Sequence, residues 1–503
     1  MTAVTPVTLA AGAGGSIPYA VSCRPVSRLV RRLLPLVLLA AACQPSASRR
    51  GATVLFASGA DLQSINPLLT LHPLARQVQR YVLLVTLARY DSALTPRPYL
   101  ARRWEWSAQG RVLTFHLETA ARWHDGVPTT AADVKWTLDA ARSPETGYPR
   151  ATDLAALDSV HVLDDSTLTL GFSVPPSTFP DVLTDLAVLP AHLLDTVPQG
   201  HLREAAWNNA PVGNGPFRFV AHEANRRWVF TANRDFPPAL GGPPRLDRFI
   251  VVVVDEPTTK LAALTAGELD MAGIQPAHAT FVERDRALAV MTYPLLQTYG
   301  IVLNTRHPPF DRPEVRRAID RALDRREIVD GYLYGFGTPA RGPVPPDVPG
   351  YLPVADAAGG PITRPVASAA AVAFELLTVG SGEAALEQMV QAQLARAGFK
   401  VTIRQLELSA FLARVYGPAH DFDAAVLGIS GDAGLGYLGP LAALAGMTAP
   451  AGAAATQRFF ADSVPVAFLY HARGLQGVNR RVLGVTMDLR GELPTVHDWS
   501  VSR

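Results

Sequence analysis

The 503-residue chain has only two cysteines, Cys23 and Cys43. Both lie near its beginning, so neither a disulfide framework nor a cysteine-based zinc site holds the rest together. His-rich tracts are absent, and no cofactor or metal is expected. There is no G-x-S-x-G elbow, no HExxH pair and no Cys/His couple, so no catalytic motif points to a hydrolase. No apolar run approaches the roughly 20 residues a bilayer span needs. A basic excess is missing as well. The whole chain carries 46 Lys+Arg against 44 Asp+Glu. Four of the basic residues (Arg24, Arg28, Arg31 and Arg32) precede Cys43, which leaves 42 against 44 beyond it. Nucleic acid is therefore not an expected partner. A chain of this length must stand on a hydrophobic core, and it is long enough for two or three domains.

What is present begins with residues 24–43. Arginines precede an apolar run from Leu33 to Ala42, small residues follow, and Cys43 comes directly after them. This order reads as a secretory signal peptide. The cysteine after the alanines resembles a lipobox, with Ala40 at the place where a larger aliphatic residue is usual. Cys43 is the expected lipidation site, and the mature chain is expected in the periplasm or at the cell surface, anchored by that lipid. Residues 1–23 carry no charge and read as an upstream extension from a misplaced start codon.

Beyond the leader, short apolar runs alternate with helical patterns. Ala52–Ser58 reads as a strand. A helix is predicted over Leu74–Leu87, and a hairpin over Ala101–Trp106 and Val112–Leu117. Thr130 with Asp133 three residues on reads as a helix start. Phe249–Val254 is a β-branched run, followed by a helix over Thr258–Ala266 that ends at Gly267. Tyr299–Asn304 reads as a buried strand. One helix is predicted over Pro313–Ile328, with its arginines on a solvated, salt-paired face. Strand and helix alternate again from Phe374 to Ile429. The pattern is α/β with mixed sheets flanked by helices.

The run from Leu113 to Leu138 resembles the signature region of the family 5 extracellular solute-binding proteins. Val212-Gly213-Asn214-Gly215-Pro216-Phe217, Ala232-Asn233-Arg234-Asp235-Phe236, Asn304–Asp311 leading into Val315–Ile319, and Gln393–Val401 resemble further family segments, in the same order. The resemblance implies a two-lobed, periplasmic-binding-protein-like fold of type II with an extra small domain. The expected layout is a first lobe over 52–295 (extra domain about 101–210), a second lobe over 296–472, and a return to the first lobe over 473–503. It implies the substrate-binding role of an ABC importer: a peptide or similar solute as ligand, permease subunits as partners, membrane attachment by a lipid anchor, and a monomeric state. Readings left open are a surface receptor or chaperone of the same fold without transport, and a surface hydrolase.

Within that resemblance, Gly428–Gly434 matches a loop whose aspartate holds the ligand's amino group, which makes Asp432 the candidate, with Ser430 and Gly431 beside it. Ile429 stands where the family has Trp. Arg341 is a candidate for a carboxylate and Tyr299 for a wall. His124-Asp125 resembles a structural turn rather than a metal or base pair. Gly359–Ala370 and the Ala/Gly-rich stretch between Gly439 and Gln457 look shortened relative to the family.

Overall fold

The alternating apolar runs assemble around one mixed sheet of eleven strands. The structure is a computed structural model and describes residues 51–176, 178–354 and 372–502. The leader with Cys43, residues 1–23 and the stretch 359–370 lie outside the described residues. β1 (Thr53–Ser58) is followed by α1 (Pro73–Val78). The predicted helix over Leu74–Leu87 is shorter than expected: a π-turn over Gln79–Leu83 ends it. The reason is tertiary. Asn214 Oδ1 accepts from the Val85 amide at 3.0 Å, and the Gly215 amide donates to the Leu83 carbonyl at 2.8 Å. These bonds take backbone groups that a continued helix would have used.

β2 (Ala88–Tyr90) and β3 (Pro96–Pro98) pair as a short ribbon. A separate antiparallel sheet follows, built from β4 (Ala101–Trp106), β5 (Val112–Leu117), β6 (Leu157–Asp164) and β7 (Thr167–Phe172) in the order β4-β5-β7-β6. α2 (Ala131–Arg142) connects β5 to β6. Its start is the predicted one: buried Asp133 Oδ2 accepts from the Thr130 amide at 2.8 Å and from Trp123 Nε1 at 3.2 Å. Two single-turn helices, α3 (Val182–Asp185) and α4 (Ala191–Leu194), lead back to the large sheet.

The large sheet continues with β8 (Phe217–Glu223), β9 (Arg227–Ala232) and β10 (Arg248–Val253). α5 (Pro257–Thr265) carries the chain to β11 (Met271–Gly273), and β10 and β11 lie parallel on either side of β1. After α6 (Ala279–Arg284) comes β12 (Leu288–Leu303), much longer than the strand expected at Tyr299–Asn304. α7 (Pro313–Ala322), α8 (Arg325–Tyr332) and β13 (Gly337–Pro339) follow, then β14 (Ala373–Val379), α9 (Ala385–Arg396), β15 (Lys400–Leu406), α10 (Leu408–Tyr416) and β16 (Ala424–Ser430). α11 (Leu438–Leu444) and α12 (Ala453–Ser463) show that much of the Ala/Gly-rich stretch is helical. β17 (Val466–Asn479) and a terminal pair, β18 (Val482–Leu483) with β19 (Ser500–Val501), complete the chain.

The strand order is β15-β14-β16-β12-β17-β11-β1-β10-β9-β8, with β13 added to β17. β12 and β17 are the two strands shared by both halves. Residues 297–303 of β12 pair with β16, while β11 pairs with residues 476–478 of β17. Between Pro294 and Thr298 the β12–β17 register shifts. Two strands crossing side by side, with an irregularity between the halves, form a connection that can bend without unpairing either half. The closing segment packs Trp499 against Phe249 at 6.0 Å between ring centroids, in the core that also holds Phe56 and Phe217.

The helix predicted over Pro313–Ile328 is two helices. Leu323 is extended, and Asp324 caps α8 by accepting from the amides of Arg326 and Glu327, both at 3.0 Å. Its arginines are not all on a solvated face. Arg316 and Arg325 are 3% and 4% exposed. Arg316 donates to the Ser463 carbonyl at 2.9 Å and to the Phe310 carbonyl at 2.8 Å. Arg325 Nε donates to the carbonyls of Ala340 at 2.7 Å and Phe468 at 2.8 Å, and its guanidinium pairs with Asp320. Arg316 ties α7 to the end of α12 and Arg325 ties α8 to β17, both through backbone acceptors, which is why the amphipathic pattern alone misread them.

Candidate ligand-binding cleft

β16 runs out at Ser430, and the loop after it is tied down at once. The Gly431 amide donates to the Leu296 carbonyl at 2.7 Å, on the irregular part of β12. Asp432 closes the loop on itself: its carboxylate accepts from the amides of Gly436 at 3.0 Å and Tyr437 at 3.1 Å, just ahead of α11. Tyr437 donates its hydroxyl to the Pro343 carbonyl at 2.9 Å and lays its ring against Gly431, where an added Cβ would sit 3.1 Å from it. A flexible Gly-rich sequence thus becomes a fixed crevice loop at the carboxyl end of a strand, the usual ligand position in open α/β sheets. Ser430, Gly431 and Asp432 line a cleft of about 950 Å³. Ile429 does not. It is 8% exposed and packs inward among Phe411, Leu427 and Phe460.

The facing wall comes from α1, β2, α3 and the Asp488–Gly491 turn. Asp185, nearly buried, gathers Arg76, Arg80 and Arg150, the last at 2.6 Å. Burial alone would raise the Asp185 carboxyl; the three guanidiniums outweigh it and hold the group below the usual carboxylate range. Asp181, one turn earlier, accepts from the Tyr90 hydroxyl. Burial and the facing charge of Asp432 push the Asp181 carboxyl up. The two aspartates come from opposite walls and flank Gly434. An added Cβ there would lie 3.4 Å from Asp432 Oδ1 and 3.6 Å from Asp181 Oδ2. Two carboxylates so placed repel, and a cation between them relieves both. The cleft therefore has an acidic pole and an arginine-rich wall.

Two sequence candidates fall elsewhere. Tyr299 stacks on Tyr470 at 4.8 Å and lines a separate hollow of about 440 Å³ with Tyr332 and Phe336. Arg341 lies 3.7 Å from Asp320 in another hollow of about 170 Å³. His124 sits in a structural turn: its ring nitrogens meet the Gly215 carbonyl at 3.0 Å and the Gly213 amide at 3.2 Å, and burial depresses its pKa to about 4. Among the described residues, no group of three or more His, Cys, Asp or Glu side chains is placed to hold a metal ion. Sequence reasoning missed Arg89, Tyr90, Arg150 and Asp181. These lie in the first half of the chain, far from the Gly-rich loop, and no local motif marks them.

The model for "Bacterial extracellular solute-binding proteins, family 5 Middle" matches residues 95–440. The chain belongs to this family. The matched span runs from β3 through the Asp432 loop. Family 5 relatives include the probable di/tripeptide-binding protein 5 of Pseudomonas aeruginosa, 27% identical over 438 residues that make up 80% of each chain. A putative ABC transporter peptide-binding protein of Brucella ovis is 32% identical over 242 residues, 48% of this chain; the match spans 45% of that protein's length, so the chain aligns with about half of it. Among solved structures, the family 5 fold is shared with the oligopeptide-binding protein AppA of Bacillus subtilis, in complex with a nonapeptide (TM-score 0.72, 21% identity, 90% of this chain and 99% of that one). It is shared also with the ABC transporter substrate-binding protein CtaP of Listeria monocytogenes (TM-score 0.78, 18% identity, 90% and 100%).

Proposed function

We propose that this protein is the solute-binding component of an ABC importer that captures peptides or similar small zwitterions and delivers them to a membrane permease. The observation that carries the reading is the cleft itself. It is walled from both sides of a two-strand connection, with Asp432 and Asp181 at one pole and guanidiniums along the wall. A ligand ammonium between the aspartates gains charge-assisted hydrogen bonds from both walls only when they close together, so binding favours the closed form. Ser430 and Gly431 offer main-chain groups to the ligand backbone, which leaves its side chains unrestricted. Ile429 supports that loop from behind, and Tyr299 and Arg341 act outside the cleft. The role is binding rather than catalysis. We take the lobe limits to be 52–295 with 473–503, and 296–472; hydrogen exchange resolving two separately opening units would support them.

A thermal-shift screen with di-, tri- and oligopeptides tests the reading. Stabilisation by at least one peptide class is expected. No response to any peptide, opine or metal chelate contradicts it. The leader supports a tethered location, with Cys43 as the acylated residue and the protein otherwise monomeric. Cys43→Ala should move the protein from the membrane fraction to the soluble one; unchanged fractionation contradicts the anchor.

A further inference from the structure

The hollow that holds Tyr299 lies behind the crossing of β12 and β17. Neighbouring side chains of a strand point to opposite faces. Thr298, opposite His471, turns to the Pro343 carbonyl, which also accepts from Tyr437 of the cleft loop. Tyr299 and Tyr470, one residue along each strand, therefore turn to the reverse face. They stack there, 4.8 Å between centroids and 17° between planes. Tyr332, at the end of α8, lies 6.4 Å from Tyr470 and is tilted by 48°. Phe336 follows in the same half, yet packs against the cluster of Leu264, Ile274 and Val282 in the other. Tyr334 stands at the rim, 61% exposed. These five rings line about 440 Å³ and share no lining residue with the cleft. Their turn is fixed in place. Tyr334 has a φ of 54°, in the left-handed region that large side chains seldom take. The Gly335 amide donates to the Val329 carbonyl at 3.0 Å, and β13 pairs Gly337 with Ala472 and Pro339 with Tyr470.

The charges around the hollow favour one sign of ligand. The one charged residue of the lining, Arg473, has Asp347 3.7 Å away. Close by is Glu387, 8% exposed, in the first turn of α9, where a helix start favours negative charge. Thr378 Oγ1 donates to its carboxylate at 2.7 Å. Burial raises the hydroxyls of Tyr332 and Tyr470, and the Glu387 charge adds to the rise, so both rings are neutral phenols beside an anion. The face of an aromatic ring carries negative charge density, and several rings around one space favour a weakly hydrated cation. The nearby carboxylate acts in the same direction. A neutral ligand of the same shape gains apolar contact alone. We propose that this hollow is a second binding site, separate from the cleft, for an organic cation of the quaternary ammonium or methylated amine class. Its walls come from both halves of the sheet, and it stands whether or not the cleft takes peptides.

Calorimetry on the mature chain tests this, with choline and its neutral carbon isostere, dimethylbutanol, as probes. Choline is expected to bind at least about 10-fold tighter than the isostere. Tyr332→Ala should weaken choline by about 5- to 30-fold, the share of one ring. Glu387→Gln, which keeps an acceptor for Thr378, should weaken it by a smaller factor. Equal affinity for choline and the isostere, or no choline binding at millimolar concentration, overturns the proposal. Asp432→Asn tells the two sites apart: a cation lost in that variant and kept in Tyr332→Ala sits at the acidic pole of the cleft, and the proposal falls. Tyr334→Ser, at the exposed rim, serves if Tyr332→Ala does not fold; choline affinity equal to wild type would then count against the aromatic site. Peptide binding by the wild type is read separately, so failure here leaves the peptide reading standing.

Discussion

His471 offers a test of the connection between the two halves. It lies on β17 opposite Thr298, beside the register shift in β12. The residue is 4% exposed, and burial depresses its pKa to about 4. Thr298 Oγ1 donates to the Pro343 carbonyl at 3.1 Å, so it accepts from His471 Nδ1 at 2.9 Å, and the ring is neutral. The folded pKa lies below the unfolded value near 6.5, so the unfolded chain binds more protons between them. The stability this group contributes is fully present above about pH 6.5 and is lost as pH falls towards 4. A gap of about 2.5 units makes the loss between about pH 7 and pH 5 roughly 2 kcal/mol. His124, with a pKa of about 4, adds a second contribution of the same sign. Half-buried Asp181 and Glu492, both raised mainly by loss of solvent, titrate in the opposite sense, so the comparison must be between variants. Urea unfolding at the two pH values, for wild type and His471→Asn, measures it. Asparagine can still donate to Thr298 but cannot titrate. The acid-dependent loss should shrink by about 2 kcal/mol in the variant. An unchanged loss would refute the idea that a neutral, desolvated histidine sits at the crossing.

Three further substitutions probe other parts of the structure. Gly213→Ala places a Cβ 2.1 Å from the Leu83 carbonyl oxygen, so it should cost at least about 3 kcal/mol and lower the melting temperature clearly; calorimetric melting checks this. Arg325→Met removes the donor that meets the Asp320 carboxylate and four backbone carbonyls (Ala340, Phe468, Asp320 and Leu323) and should cost about 3–5 kcal/mol by urea unfolding, with Arg325→Lys recovering only part. Asp432→Asn should weaken peptide binding by about 10- to 100-fold in calorimetry. It also loses an acceptor for one of the Gly436 and Tyr437 amides, so a stability loss of about 1 kcal/mol should accompany it.

Strands were the most legible part of the fold. β4 and β5 lie where alternation and the turn between them put them. Helix limits were less so. α1 ends early because Asn214 and Gly215, about 130 residues away in sequence, claim its last backbone groups. The break before Arg325 was hidden because arginine reads as a surface residue, and only the nearby carbonyls of Ala340 and Phe468 make it an interior one. In the cleft, the Gly-rich loop pointed to Asp432, which lies in the lining, but its partners could not be read. Asp181, Tyr90 and Arg89 are ordinary polar residues until the fold sets them across from Asp432. Tyr299 and Arg341 lie in other hollows for the converse reason. Strand alternation turns Tyr299 onto Tyr470, and Asp320 draws Arg341 into a different hollow.

The most direct test of the central reading is mass spectrometry of whatever co-purifies with the mature chain, released by mild denaturation. The expected result is one or more short peptides or related zwitterions, depleted when Asp432 is changed to Asn. Recovery of a ligand with no amino group, at undiminished occupancy in the Asp432→Asn protein, would contradict it.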